Sequence, residues 1–323
     1  MFKSKLRKLI AGSLLLASGL TSTLVQADAS VAITQIVEHP SLDAIREGVK
    51  DELAERGYVV GENLKWNYES AQGSPATAAQ VAKKFAGDAP DVIVAITTPS
   101  AQTAVSAARG IPVVFSAVTD PVGAKLVKAL DKPTRWVTGT TDMLPMDKHM
   151  ELVKRVVPGA EKVGVIFNPG EANSVSSVEM VHEAAPKQGM SVVEAAATKS
   201  SDVLASARSL VGKVDVIYLP IDNTVISALE AVLKVAEQSN IPVITGDTDS
   251  VSRGAVAAVG FDYYQVGRQT GVIVERILKG ESPKNIPVEG VHTMDLVINP
   301  AAAERMGVTL PKALIAEAKK VIQ

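Results

Sequence analysis

The residues best suited to chemistry in this chain stand in short polar clusters at the ends of apolar runs. In Asp91-Val-Ile-Val-Ala-Ile-Thr-Thr-Pro-Ser100 the run from Val92 to Ile96 is wholly apolar and then breaks into hydroxyls and a proline. A run without alternation reads as a strand buried on both faces. The break after it reads as a helix start, with Thr98 as N-cap and Pro99 at the first helical position, where a missing N–H costs nothing. The amides of Ser100, Ala101 and Gln102 would then face outward at the positive end of the helix dipole, a setting that suits a carboxylate. Similar clusters are Glu38-His39, Thr119-Asp120, Asn168 with Asn173-Ser174, Asp222-Asn223-Thr224 and Gly246-Asp247. Helix starts after Thr98 and near Ser174 offer donors for a carboxylate, and Glu38, Asp120, Asp222 and Asp247 offer acceptors for an ammonium group. A zwitterionic amino acid satisfies both. An ammonium has only three protons to give, so several of these acids must be caps or structural contacts.

Signatures of enzymatic chemistry are missing from the sequence. It contains no GxSxG elbow, no GxxxxGK[ST] loop, no GxGxxG fingerprint and no HExxH. His39, His149, His182 and His292 are scattered without ligand spacing and cysteine is absent, so neither a metal nor a cofactor is expected. Of the four, His39 alone stands at a strand end, and it reads as a loop histidine bonded to backbone or solvent. Aromatics make up 4% of the chain, too few for the stacked platform of a sugar site. Tyr263 comes after a strand-to-helix junction and can reach a cleft, whereas Tyr218 and Phe115 lie within strands and read as core.

The elements that must position these clusters alternate strand and helix. Ser30 to Val37 is a strand, Leu42 to Arg56 a helix, Leu64 to Glu69 a strand and Ala76 to Ala86 a helix. The stretch at Asp91 with its helix to about Gly110 comes next, and then a strand at Ile111 to Val118. The pattern begins again at Lys162 to Phe167. Asp215-Val216-Ile217 repeats Asp91-Val92-Ile93, and Ile241-Pro242-Val243 repeats Ile111-Pro112-Val113. An internal duplication of this kind predicts two α/β lobes, each with a parallel sheet, facing one cleft. In such sheets ligands sit beyond the carboxyl ends of the strands, where the polar clusters stand. We expect a first lobe over 28–141 with a returning segment at about 262–285, a second lobe over 142–261, and a C-terminal segment, 286–323, whose lobe the sequence leaves open.

Composition bounds the rest. The chain has 323 residues, 46% hydrophobic and 21% charged, enough for two cores. Residues 1–27 read as a secretory signal peptide: Lys3, Lys5, Arg7 and Lys8 precede an apolar stretch from Leu9 to Leu20, with cleavage candidates at Val25-Gln26-Ala27 and Ala27-Asp28-Ala29. Its four basic and no acidic residues take the formal charge from −2 to −6 when it is removed, which argues against a nucleic-acid partner. No later stretch has the length of a membrane span, so the mature protein is expected not to be membrane-embedded. Without cysteine there is no disulfide and no lipid-modifiable N-terminus, and a freely diffusing periplasmic protein is expected.

Taken together, Glu38-His39-Pro40-Ser41-Leu42-Asp43, Thr98-Pro99-Ser100-Ala101-Gln102, Ala117-Val118-Thr119-Asp120-Pro121-Val122-Gly123-Ala124, Gly139-Thr140-Thr141-Asp142, Asn168 with Glu171-Ala172-Asn173-Ser174, Asp222-Asn223-Thr224 and Asp262-Tyr263-Tyr264-Gln265-Val266-Gly267-Arg268-Gln269 resemble the tryptophan/tyrosine branch of the solute-binding proteins of ABC importers. The resemblance runs from about Ala32 to the C-terminus. It implies a type I periplasmic-binding fold with a hinge, an aromatic amino acid as ligand, and delivery to the transmembrane subunits of an ABC permease. Carried over by position, it implies contacts from Glu38, Thr97, Thr98, Ser100, Thr119, Asp120, Thr140, Asn168, Asn173, Asp222, Asn223, Asp247 and Tyr263. Asp247 stands where a glutamate is as usual in the family. The residues alone leave open another small carboxylated solute as ligand, or a sensory role in which the liganded form signals to a membrane receptor.

Overall fold

A computed structural model describes residues 28–291 and 293–322. The leader expected over residues 1–27 lies outside the described residues, as does His292. The chain first lays down β1 (Ala29–Gln35), α1 (Pro40–Glu55), β2 (Leu64–Ser70), α2 (Pro75–Asp88), β3 (Val92–Ile96), α3 (Thr98–Ala107), β4 (Val113–Ser116) and β5 (Val137–Thr141). It then crosses to α4 (Met146–Val156), β6 (Lys162–Phe167), α5 (Ala172–Ala184), β7 (Ser191–Ala196), α6 (Val203–Leu210), β8 (Val216–Leu219), α7 (Asn223–Ser227), α8 (Leu229–Ser239), β9 (Val243–Thr245), α9 (Asp249–Ser252) and β10 (Ala257–Gly260). It returns for α10 (Tyr263–Leu278) and β11 (Glu289–Gly290). A last crossing leads to β12 (Asp295–Ile298), α11 (Pro300–Arg305), α12 (Lys312–Glu317) and β13 (Lys320–Val321).

Two sheets result, ordered β11-β5-β4-β3-β1-β2 and β13-β12-β10-β9-β8-β6-β7. Within each, the first five strands in chain order stand 2-1-3-4-5 and pair in parallel; β12 joins β10 antiparallel. The C-terminal segment whose lobe the sequence leaves open is divided between the sheets: β11 pairs with β5 in the first and β12 with β10 in the second.

The inner strands β3 and β4 of the first sheet are buried on both faces, which is why they show no alternation, whereas the edge strand β2 is partly exposed. Val31, Ile33, Val92, Val94 and Ile96 pack on one side with Ile45, Val49 and Val266 of α1 and α10. Ala32, Ile93, Ala95 and Phe115 pack on the other with Val81, Phe85, Ala101 and Ala104 of α2 and α3. Helices α1 and α10 approach so closely that a methyl group on Gly267 would land on the backbone carbonyl of Ile45, and one on Gly48 on that of Tyr264.

The repeated aspartates have matching structural roles. Asp91, just before β3, accepts from the amide and hydroxyl of Ser30 at the start of β1. Asp215, just before β8, accepts from the amides of Glu161 and Lys162 at the start of β6. Each ties together the start of two central strands, so these acids lie at the sheet end away from the polar clusters.

Candidate functional site

The carboxyl ends of the two sheets face each other across a narrow cavity. His39, Ser41, Leu42, Thr97, Ala117, Asp142 and Tyr263 line it from the first lobe and the crossings, and Ile221, Asp222, Asn223, Ile226 and Asp247 from the second. About 290 Å³ between these residues is not filled by atoms, part of it open to solvent. A wider groove, about 2110 Å³ on the same measure and open to solvent, runs along α2 and α3 towards Asn168, Glu171 and Asn223. Much of its wall is exposed surface, including Gln72, Lys83, Gln102 and Lys199. We place the candidate site in the narrow cavity, because unpartnered buried polar atoms and unusual backbone gather there.

Two non-glycine residues of its lining have backbone that side chains rarely adopt: Thr97 at φ 74° and Ala117 at φ 52°. Thr97 is β-branched, which makes a positive φ costly, and strain of this kind collects at binding sites. It also moves the helix start. Thr97, not Thr98, is the N-cap of α3, and it makes no side-chain cap bond; Pro99 is the second helical residue. The amide of Ala101 is already spent on the carbonyl of Thr97. In compensation, the hydroxyls of Thr97, Thr98 and Ser100 are all buried without a hydrogen-bond partner. Three unpaired hydroxyls in the first turn of a helix form a donor-rich, positively polarised patch.

The second lobe has filled its own helix start. Glu171, buried just ahead of α5, accepts from the amide, at 3.2 Å, and the hydroxyl, at 2.7 Å, of Thr224, and from the side chain of Asn223 at 2.5 Å. An internal carboxylate thus occupies the amides of α7. Asp222 caps the same helix through the amide of Val225 and also accepts from the amide of Asn168 and the hydroxyl of Ser174, each at 2.6 Å. Burial, with Glu171 as the next cause, pushes the Asp222 carboxyl well above the usual range.

Near the crossings, Asp142 is fully buried. It accepts from the hydroxyls of Thr119 at 3.2 Å and Tyr263 at 3.0 Å, and burial raises its pKa to about 6. Asp247 accepts from Ser250 within its own lobe at 2.7 Å and from Ser41 of the first lobe at 2.9 Å. His39 is buried beside Asp247; desolvation holds its imidazole neutral against that carboxylate's pull, and its Nδ1 has no partner. Solvent therefore does not reach it as a loop histidine would allow. The cavity lining contains three aspartates and no lysine or arginine.

Of the residues singled out in the sequence, Thr97, Asp222, Asn223, Asp247 and Tyr263 meet in the cavity wall. Thr98 and Ser100 lie beside it in the first turn of α3, and Thr119 holds Asp142 from behind. Asn173 is buried in the second lobe, donating to the carbonyl of Ile221 while its Oδ1 has no partner. Asn168 donates to Thr224 at 2.8 Å and faces the groove. Three residues stand elsewhere. Glu38 is exposed, its carboxylate taking the hydroxyl of Tyr68. Asp120 caps the turn at Gly123 and meets Ser176 of the other lobe at 3.4 Å, a contact between lobes outside the cavity wall. Thr140 joins Ser116 and Thr270 in a hydroxyl cluster beneath α10. Asp142, Glu171 and Ser41 were not singled out, although all three belong to the family-like motifs; Asp142 ends β5 and so obeys the strand-end rule that picked out the others.

Comparison with known proteins bears on what this cavity is for. A tyrosine-binding protein of Clostridioides difficile is 44% identical over 270 residues, which is 84% of this chain and 78% of that protein. A solved ABC domain from Streptococcus pneumonia in complex with L-Trp superposes with a TM-score of 0.89 at 35% identity, over 92% of this chain and all of that one. A ligand-free, open substrate-binding protein with adhesive properties from Clostridium difficile reaches only 0.68 at 40% identity, over 91% of this chain and 99% of that one. The fold is thus that of the periplasmic-binding type, and no helix among the described residues is long and apolar enough to cross a membrane. The family model for ABC transporter substrate binding proteins, whose members bind substrate without turning it over, matches residues 30–322, and the chain belongs to that family.

Proposed function

We propose that this protein binds an aromatic amino acid in the interlobe cavity and delivers it, from the periplasm, to the transmembrane subunits of an ABC permease. The observation that carries the reading is the asymmetry of the two walls. The start of α3 carries three unpaired buried hydroxyls, of which that of Thr97 belongs to the cavity lining, and the same lining bears three aspartates without a lysine or arginine. A carboxylate on the first and an ammonium on the second would satisfy both, as only a zwitterion does with one small molecule. Glu171 already holds the amides of α7, so the ligand carboxylate is assigned to the start of α3, whose hydroxyls are unpaired.

Leu42, Ala117, Ile221 and Ile226 supply apolar wall for a ring. The relatives that bind tyrosine and L-Trp point to the same ligand class. The greater likeness to the L-Trp complex than to the open structure, despite lower identity, supports lobes standing as in a closed, liganded form. Binding then works by selection of the closed state, because only there does one ligand touch both lobes. The basic and apolar leader supports export, and the absence of cysteine supports free diffusion instead of a lipid anchor.

A thermal-shift and calorimetric screen of the twenty amino acids on unfolded, dialysed and refolded protein tests the ligand class. Tyrosine or tryptophan should raise the melting midpoint most. No response to any of the twenty would overturn the assignment.

A further inference from the structure

Resting on that reading, we infer that His39 reads the polar tip of the ligand's ring, so that the site selects aromatic amino acids carrying a ring hydrogen-bonding group, a phenol or an indole N–H, over phenylalanine. His39 stands at the N-cap of α1 in extended backbone, φ −160°, yet its side chain makes no cap bond. Its ring lines the cavity instead, 9% exposed, with Nδ1 unpartnered. A polar atom left unpaired in a buried wall is costly unless something satisfies it. The charged ends of the ligand are not what it awaits. A carboxylate is drawn to the hydroxyls of α3, and an ammonium to the aspartates; a neutral imidazole competes poorly with either.

The ring is held neutral by burial, which outweighs the opposing pull of Asp247 and Asp43, while Arg253 acts in the same direction as burial. A neutral imidazole carries one donor and one acceptor, so it can accept a hydrogen bond from a phenol or from an indole N–H. It lines the cavity beside Ser41 and Asp247, whose hydrogen bond joins the two lobes. Phenylalanine would fill the apolar wall of Leu42, Ile221 and Ile226 but leave His39 unpaired. Sites built to bond a ring substituent reject analogues that lack it far more strongly than a methylene's worth of packing can.

The test is a calorimetric comparison of L-tyrosine, L-tryptophan and L-phenylalanine on the full mature chain, with His39→Leu and His39→Gln beside it. The wild type should bind tyrosine or tryptophan roughly ten- to a hundredfold more tightly than phenylalanine. His39→Leu should shrink that ratio to within about threefold, chiefly by weakening the polar-ring ligands, and His39→Gln, which keeps a hydrogen-bonding tip, should restore part of it. Equal binding of all three by the wild type overturns the inference even if a variant fails to fold. So does an unchanged ratio in His39→Leu of native melting behaviour. Failure to bind any of the three would instead overturn the proposed function itself.

Discussion

At the scale of single residues, Thr97 carries the sharpest conflict between stability and function. Its φ of 74° costs about 1–3 kcal/mol for a β-branched residue. Thr97→Gly should relieve that strain and raise the melting midpoint by about 2 °C, while losing one of the three unpaired hydroxyls and about tenfold in affinity. A thermal melt paired with calorimetry reads both, and a variant that melts lower would show that the backbone there is unstrained. Asp142 gives the pH dependence. Its carboxyl, near 3.8 when unperturbed, is raised to about 6 by burial, so the folded protein holds a proton that the unfolded chain releases. Its contribution to stability therefore falls as pH rises from about 4 to about 6. A ligand ammonium near the aspartates favours their ionised form, so binding should release protons and tighten as pH rises through 6. Titration at pH 6 in buffers of different ionisation enthalpy should detect that release, and an affinity flat between pH 5 and 7.5 would refute it. Such features are not visible in sequence. Thr97, Thr98 and Ser100 are marked by type and spacing, but the positive φ that shifts the helix start is set by the tertiary turn after β3. Glu38 and Thr140 have the right type in the right place, and their direction is decided by partners distant in the chain, Tyr68 and Thr270.

At the scale of elements, strand ends and helix starts are legible because parallel strands buried on both faces must be apolar throughout, and the residue that breaks the run marks the carboxyl edge. The duplication is legible for the same reason: Asp91 and Asp215 precede equivalent strands and perform the same tie. Contacts between elements are less legible, since nothing in the local pattern says that Glu171 serves the helix that begins after Asp222. The close crossing of α1 and α10 depends on Gly267, and Gly267→Ala should cost about 1–3 kcal/mol of stability through displaced backbone. Because α10 begins directly after a crossing, closure should suffer with it; a denaturant melt measures the first effect. The bond from Ser41 in α1 to Asp247 beyond β9 joins the lobes in a buried setting. Ser41→Ala should leave the melting of the isolated protein within about 2 °C and weaken ligand binding roughly tenfold, by loosening the closed state alone. An unchanged dissociation rate in stopped-flow fluorescence would show that this contact does not hold the cleft shut.

At the scale of the whole molecule, two lobes with the same strand order meet along their carboxyl edges. The first lobe keeps its helix start unpaired, and the second satisfies its own with Glu171. On the proposed function, a ligand anchors its carboxylate on the first lobe while the cleft is open, and the second lobe then closes over it with Asp222 and Asp247. The central claim is that recognition requires both charges of a zwitterion held between these walls. Calorimetric titration of ligand-stripped protein with L-tyrosine, with tyramine, which lacks the carboxylate, and with the deaminated acid tests it most directly. Recognition of both charges predicts tight binding of the amino acid and at least about hundredfold weaker binding of each analogue, since each leaves one wall unsatisfied. Binding of either analogue within about fivefold of tyrosine would contradict it.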